Sequence, residues 1–124
     1  MATAFRPVGE FAKFTVGDVS TVVGDIVAIS ASDTVVRADA TDSTKMPGIG
    51  FVKSITGSNC IVQLSYIIGI TGVSAGDTYW IDPDNVGKIT NSVPTTSGSI
   101  LQKVGLGKAS NKLLIRIESQ TLTI

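Results

Sequence analysis

Short apolar runs alternate with turn residues along nearly the whole chain. Phe11-Ala12-Lys13-Phe14-Thr15-Val16 is the first run, and Gly17-Asp18 ends it. Val22-Val23 leads through Gly24-Asp25 into Ile26-Val27-Ala28-Ile29-Ser30, and Thr34-Val35-Val36-Arg37-Ala38 follows a Ser-Asp turn. Gly50–Ile55 and Cys60–Tyr66 flank the turn Gly57-Ser58-Asn59. The second half offers Thr78–Ile81, Gly87–Thr90, Ile100–Gly105 and Lys112–Ile117. This spacing is close to the roughly 8–12 residues of a sandwich or barrel. The intervening Gly, Asp, Asn and Ser either tolerate positive φ or hydrogen-bond their own backbone. Only Ser97–Val104 reads as a turn of helix. The pattern therefore predicts an all-β fold, a single compact β-barrel or β-sandwich over residues 11–124.

The pattern also repeats. Gly24-Asp25-Ile26-Val27-Ala28-Ile29-Ser30 matches Gly76-Asp77-Thr78-Tyr79-Trp80-Ile81-Asp82 at an offset of 52. Each copy continues with a short second strand and a loop containing Pro, at Met46-Pro47 and at Val93-Pro94. A strand with an internal glycine comes next, Ile49-Gly50-Phe51-Val52-Lys53 against Val104-Gly105-Leu106-Gly107-Lys108. Ile61-Val62-Gln63-Leu64 and Leu114-Ile115-Arg116-Ile117 close the two copies. Residues 24–64 and 76–117 thus read as two similar β units. Neither unit would bury a full face alone, so the two are expected to pack together.

Residues 1–10 have no period and read as an extended N-terminal arm. Phe5, Arg6, Pro7 and Val8 give it apolar hooks and one charge, and they are candidates for contact with a partner. Tyr79 and Trp80 are the second candidate pair. Neighbours in a strand point to opposite faces, so one of the two is expected in the core and the other outward. Trp and Tyr are enriched in interface cores.

Composition agrees with strands. The chain of 124 residues holds 14 Val, 14 Ile and 14 Thr but only 6 Leu and 2 Glu. β-branched side chains suit a pleated sheet and lose rotamer freedom in a helix. Formal net charge is zero, charged residues make up 16%, and no basic run occurs. Phosphate contacts dominate nucleic-acid affinity, so direct nucleic-acid binding is not expected. A mean hydropathy of +0.34 suits a protein that hides part of its surface in a partner. Met1–Val16 contains no apolar core of a signal peptide and no stretch is long enough to span a bilayer, so a protein made in the cytosol without membrane contact is expected.

Candidate chemistry is sparse. The absence of His removes the commonest acid, base and metal ligand. Most of the eight Asp lie beside Gly, Ser or Asn in predicted turns, where turn formation explains them. Asp82-Pro83-Asp84-Asn85-Val86-Gly87 has acidic residues at alternate positions, as a calcium loop does. Position twelve is Val93 where a bidentate Glu belongs, which leaves at most a weak cation site at Asp82 and Asp84. Gly105-Leu106-Gly107 lacks the third glycine and the helix of a phosphate cradle. Cys60, the lone cysteine, reads as a small buried hydrophobe. No enzyme activity and no cofactor are expected.

Gly76-Asp77-Thr78-Tyr79-Trp80-Ile81, Gly87-Lys88-Ile89-Thr90, Pro94-Thr95-Thr96-Ser97-Gly98 and Gln102-Lys103-Val104-Gly105 resemble a pattern in small β domains of tailed-phage virions. These are capsid decoration (cement) proteins and head-fibre or tail-fibre surface modules. Gly24–Ile29 and Met46–Val52 look like the same grammar, and the resemblance covers residues 20–118. It carries over no catalytic residue. It implies a structural virion protein, a homotrimer on the capsid surface whose partner is the major capsid protein. Such a protein bridges neighbouring capsomers and opposes the pressure of packed DNA. No collagen-like repeat, coiled-coil heptad or separate receptor domain is present, which favours a stand-alone decoration protein. A fibre module binding host cell or glycan, and a cellular assembly domain, stay open beside it.

Overall fold

The computed structural model describes residues 9–124, and in these it forms twelve strands and one turn of 3-10 helix at Ser43–Lys45. The first five strands are β1 (Phe11–Val16), β2 (Ile26–Ala31), β3 (Thr34–Arg37), β4 (Gly50–Thr56) and β5 (Asn59–Gln63). They close a barrel in the order β1-β3-β2-β4-β5. Neighbours run antiparallel except β1 and β3, which seal the barrel as a parallel pair through Thr15 opposite Thr34 and Val16 opposite Val35.

Five later strands form an open sheet: β6 (Tyr66–Gly69), β7 (Thr78–Ile81), β8 (Ile89–Thr90), β10 (Lys103–Ala109) and β11 (Lys112–Ile115). Its order is β6-β11-β10-β7-β8. Between β8 and β10 lies β9 (Ile100–Leu101), which pairs with β12 (Leu122–Thr123) in a separate two-stranded sheet. The sequence reading gives Ile100–Gly105 as a strand and a helical turn over Ser97–Val104 as its alternative. The structure has strand there, β9 and the start of β10, because the Ile100 N–H donates to the Ala40 carbonyl and Lys103 pairs with Trp80.

Opened between β1 and β3, the barrel reads β1-β5-β4-β2-β3, which is strand for strand the order of the open sheet. The loops leading into β2 and β7 share their hydrogen bonds at the offset of 52. Thr21 N–H donates to the Asp18 carbonyl and Asp25 N–H to Val22; Val73 N–H donates to Ile70 and Asp77 N–H to Ser74. Gly24 and Gly76 both sit at positive φ, 94° and 84°, which the turn demands and a side chain resists. Each then donates to the glycine-containing strand, Gly24 to Val52 and Gly76 to Gly107. A Cβ at Gly107 would run into the Ser74 carbonyl oxygen, so this glycine serves close backbone approach. The units differ in closure. β8 has two residues and β6 does not pair with it, which leaves a cleft of about 240 Å³ lined by Ile70, Val73, Ile89 and Asn91 among others.

Two apolar cores result. Val27, Val35, Val52, Cys60 and Val62 cluster with the partly buried Phe14, Val16, Ile49, Ile55 and Leu64. Every one of these lies on or beside a barrel strand, and they fill the barrel. Ile26, Ala28 and Phe51 join Ile68, Tyr79, Ile81, Val104, Leu113 and Ile115 in a second core shared by the two units. Alternation along β2 and β4 sends successive residues to opposite faces. Here both faces are buried, so Ile26-Val27-Ala28 and Phe51-Val52 are apolar without interruption.

Buried polar side chains tie the units together. Gln102 accepts from the Gly48 N–H at 2.8 Å and donates to the carbonyls of Gly48 and Glu118. Gln63 donates to Ser65 and Ile67. The buried Asp25 carboxylate accepts from Lys88 Nζ at 2.6 Å and from the Val22 N–H at 2.9 Å. The buried Thr21 hydroxyl, like Trp80 Nε1 and the Ser99 hydroxyl, has no hydrogen-bond partner among the described residues. The equivalent position in the second unit is Val73, also buried. An unpaired buried hydroxyl costs about 1–3 kcal/mol. Thr21→Val should therefore raise stability by about 1 kcal/mol, read as a higher urea midpoint at unchanged m-value.

Candidate protein-binding surfaces

The candidate residues of the sequence reading separate into three groups. Phe5, Arg6, Pro7 and Val8 lie outside the described residues. Tyr79 and Trp80 are both buried, at 4% and 9% exposure, which corrects the expectation that one faces outward. Tyr79 belongs to the core shared by the two units, and its hydroxyl accepts from the Ser74 N–H at 2.8 Å. Trp80 sits between β8 and β10 in the middle of a paired sheet, opposite Thr90 and Lys103. Asp82 spends one carboxylate oxygen on the Asp84 N–H and the other on the Asn85 amide, which closes the turn. Among the described residues no three His, Cys, Asp or Glu side chains converge to hold a metal. Cys60 faces the barrel core, where burial pushes its thiol pKa up and away from the reactive thiolate.

The structure exposes apolar groups elsewhere. The loop between β1 and β2 presents Val19, Val22 and Val23 at 102%, 50% and 60% exposure. This loop is firmly held. Asp18 accepts from the Ser20 N–H at 3.0 Å and from Arg37 Nε at 2.7 Å, and Asp25 holds the Val22 N–H. The sequence reading treats Val22-Val23 as the lead into a strand. The signal it passes over is three valines within a segment bounded by Asp18 and Asp25, too short and too rich in turn residues to be sheet.

A cleft lies where β2 ends and β4 begins. Phe14, Ile29, Pro47, Ile49, Leu64 and Ile117 line it, with a volume of about 490 Å³. Glu118 is the one charged side chain among the described residues at its rim, and Gln102 at its base is held by Gly48. Ile29 is exposed although it lies in β2. A third apolar feature is β12. Among the described residues it pairs with β9 alone, and Leu122 and Ile124 are 64% and 41% exposed. No other described strand pairs with β12, and an unpaired strand edge can accept a further strand.

The valine loop, the cleft and β12 thus present apolar side chains at the surface, the loop on backbone held by hydrogen bonds. No helix of the described residues is long and apolar enough to cross a membrane. No family model and no curated protein matches the chain.

Asp18 connects loop stability to pH. Burial raises its pKa, but the Arg37 hydrogen bond, the Ser20 amide and the charges of Arg37 and Lys45 outweigh it and hold the carboxyl below its ordinary value. A carboxylate held low contributes stability that is complete above the ordinary aspartate value of about 3.9. That contribution is lost as pH falls through the lower native value. Asp18→Asn should cost about 0.5–1 kcal/mol at neutral pH, the range of a solvent-screened pair. The difference from wild type should shrink as pH falls from the ordinary aspartate range through the lower native value, as seen in urea titrations at neutral and at acid pH.

Proposed function

We propose that this protein is a structural virion protein that binds the outer surface of a tailed-phage capsid, bridges neighbouring capsomers and stabilises the shell. The observation that carries the reading is the edge of β12 that no other described strand pairs with, flanked by the exposed Leu122 and Ile124. The likeness of the Gly-Asp strands and the Pro-containing loops to phage decoration proteins supports it from the sequence side.

The mechanism is linkage. A protein that binds the assembled lattice and not the dissociated subunits stabilises the lattice by mass action. β12 supplies the contact by strand addition: a capsid segment pairs with its open edge, while Leu122 and Ile124 cover apolar surface beside it. Copies joined in a trimer multiply a weak single contact by an effective concentration, a gain on the order of 10²–10⁴ in avidity. The low charge of the chain fits a contact made by burial and backbone pairing, and predicts little sensitivity to salt.

The test mixes purified protein with empty expanded capsids of its own phage, followed by sedimentation and cryo-EM. Full-length protein should co-sediment and give regular density at three-fold positions. A variant ending at Gln120, which lacks β12, should lose at least about tenfold in apparent affinity, on the scale of 1.4 kcal/mol per decade. Undecorated shells with the full-length protein would overturn the reading; binding by a glycan array instead would favour a fibre module.

A further inference from the structure

The loop before β2 and the loop before β7 are the same device built twice, with the same hydrogen bonds at an offset of 52. Their outward side chains differ. Val19, Val22 and Val23 of the first loop correspond to Thr71, Ser74 and Ala75 of the second, and all six are exposed. The fold therefore does not require valine at these positions; the second copy makes the turn with two hydroxyls and a methyl. Three aliphatic side chains have been placed in water, on backbone held by Asp18, Arg37 and Asp25. That arrangement suits an apolar knob that enters a pocket.

A pocket of the matching kind exists on the same chain. The cleft lined by Phe14, Ile29, Pro47, Ile49, Leu64 and Ile117 is apolar, and its size lies in the range of ligand pockets. It also lies at the wrong end to receive the molecule's own knob. The valine loop runs into the start of β2 at Ile26, and Ile29 brings the far part of β2 into the cleft. The knob carries no charge at its three apolar positions, and the cleft carries one, Glu118, at its rim. Neither surface would repel the other.

We infer that the valine knob of one molecule docks in the barrel-end cleft of a second copy, so that the protein assembles head to tail. Such a heterologous contact closes into a ring when its rotation permits and otherwise extends as a filament. The inference concerns the isolated protein and stands or falls without regard to capsid binding.

Sedimentation and light scattering of the purified full chain give the test. Wild type should be oligomeric at tens of micromolar. Two variants should each be monomeric: the triple change Val19→Thr, Val22→Ser, Val23→Ala, which copies the second loop, and Ile29→Asp, which places a charge in the cleft. Circular dichroism and urea midpoints within a few tenths of a molar of wild type, on the scale of ordinary m-values, establish that both fold. Mixed together, the two monomers should form a one-to-one dimer, since one retains its cleft and the other its knob. A monomeric wild type, an oligomer that survives the triple change, or a mixture that stays monomeric would each overturn the proposal. A chain lacking residues 1–8 should still associate; association lost on that deletion and kept in the triple variant would assign the cleft to the N-terminal segment and overturn it as well.

Discussion

The structure depends on two short stretches that are buried on both faces. Ile26-Val27-Ala28 and Phe51-Val52 lie next to one another in the barrel wall, with Ile26 opposite Phe51. Val27 and Val52 point into the barrel, and Ile26, Ala28 and Phe51 point at the second sheet. A slip of one residue in either strand would exchange the two faces. It would drive Phe51 into a barrel filled by valines and leave a hole against Tyr79 and Leu113. Both cores therefore enforce one register. Burial of a side chain as large as Phe51 is worth a few kcal/mol, on the order of 25 cal/mol per Å² of apolar surface. The register is thus held by more free energy than any single hydrogen bond of the ladder supplies.

Two units with one pairing order raise a further problem of specificity, because strands of one could replace their counterparts in the other. Polar contacts across the seam remove the degeneracy. Asp25 takes Lys88 from the opposite unit, whereas its counterpart Asp77 takes the Asn91 amide from its own. Gln102 fits only beside Gly48, whose N–H and carbonyl it satisfies together. Gly48 itself has Ile26 and Ile81 so near that an added Cβ would meet both. A strand exchanged between units would leave these buried groups unpaired, at roughly 1–3 kcal/mol each. The ion pair earns its place by specifying partners more than by raw attraction, since desolvation offsets most of the Coulomb energy of a buried carboxylate.

Much of this was legible in the chain. β-branched runs of four to seven residues between Gly, Asp and Asn marked the long strands, and Gly24-Asp25 and Gly76-Asp77 marked the repeat. What escaped has physical reasons. β9 and β12 are two residues each, too short to show a period, and they form only because Thr123 and Leu122 return to Ile100 and Leu101. Tyr79 and Trp80 obey alternation, yet both of their faces are covered, and one-dimensional alternation cannot say how many layers a sheet will lie between. Cys60–Tyr66 reads as one strand. It breaks after Gln63 because Tyr66 adopts φ 75°, which turns the chain from the first unit into β6 of the second. The exposed valines were hidden for the opposite reason: apolar residues beside a strand look like more strand, and only the hydrogen bonds of Asp18 and Asp25 reveal a turn that holds them out.

The difference in closure between the units explains where the free surfaces lie. In the first unit the parallel pairing of β1 with β3, through Thr15 with Thr34 and Val16 with Val35, closes the barrel and leaves no whole strand edge open among the described residues. Its exposed apolar groups sit at its two ends, on the valine loop and around Ile29. In the second unit β8 is too short to reach β6, and the chain spends its last residues on the β9–β12 pair instead of completing a barrel. Among the described residues the outer edges of β6 and β8 have no strand partner there. One duplicated unit thus presents two kinds of surface: the closed copy offers apolar side chains, whose packing depends on shape, and the open copy offers strand edges, whose pairing depends on direction. On the two proposals made above, the first surface would serve a second copy and the second a different chain, and the two contacts would not compete for the same groups.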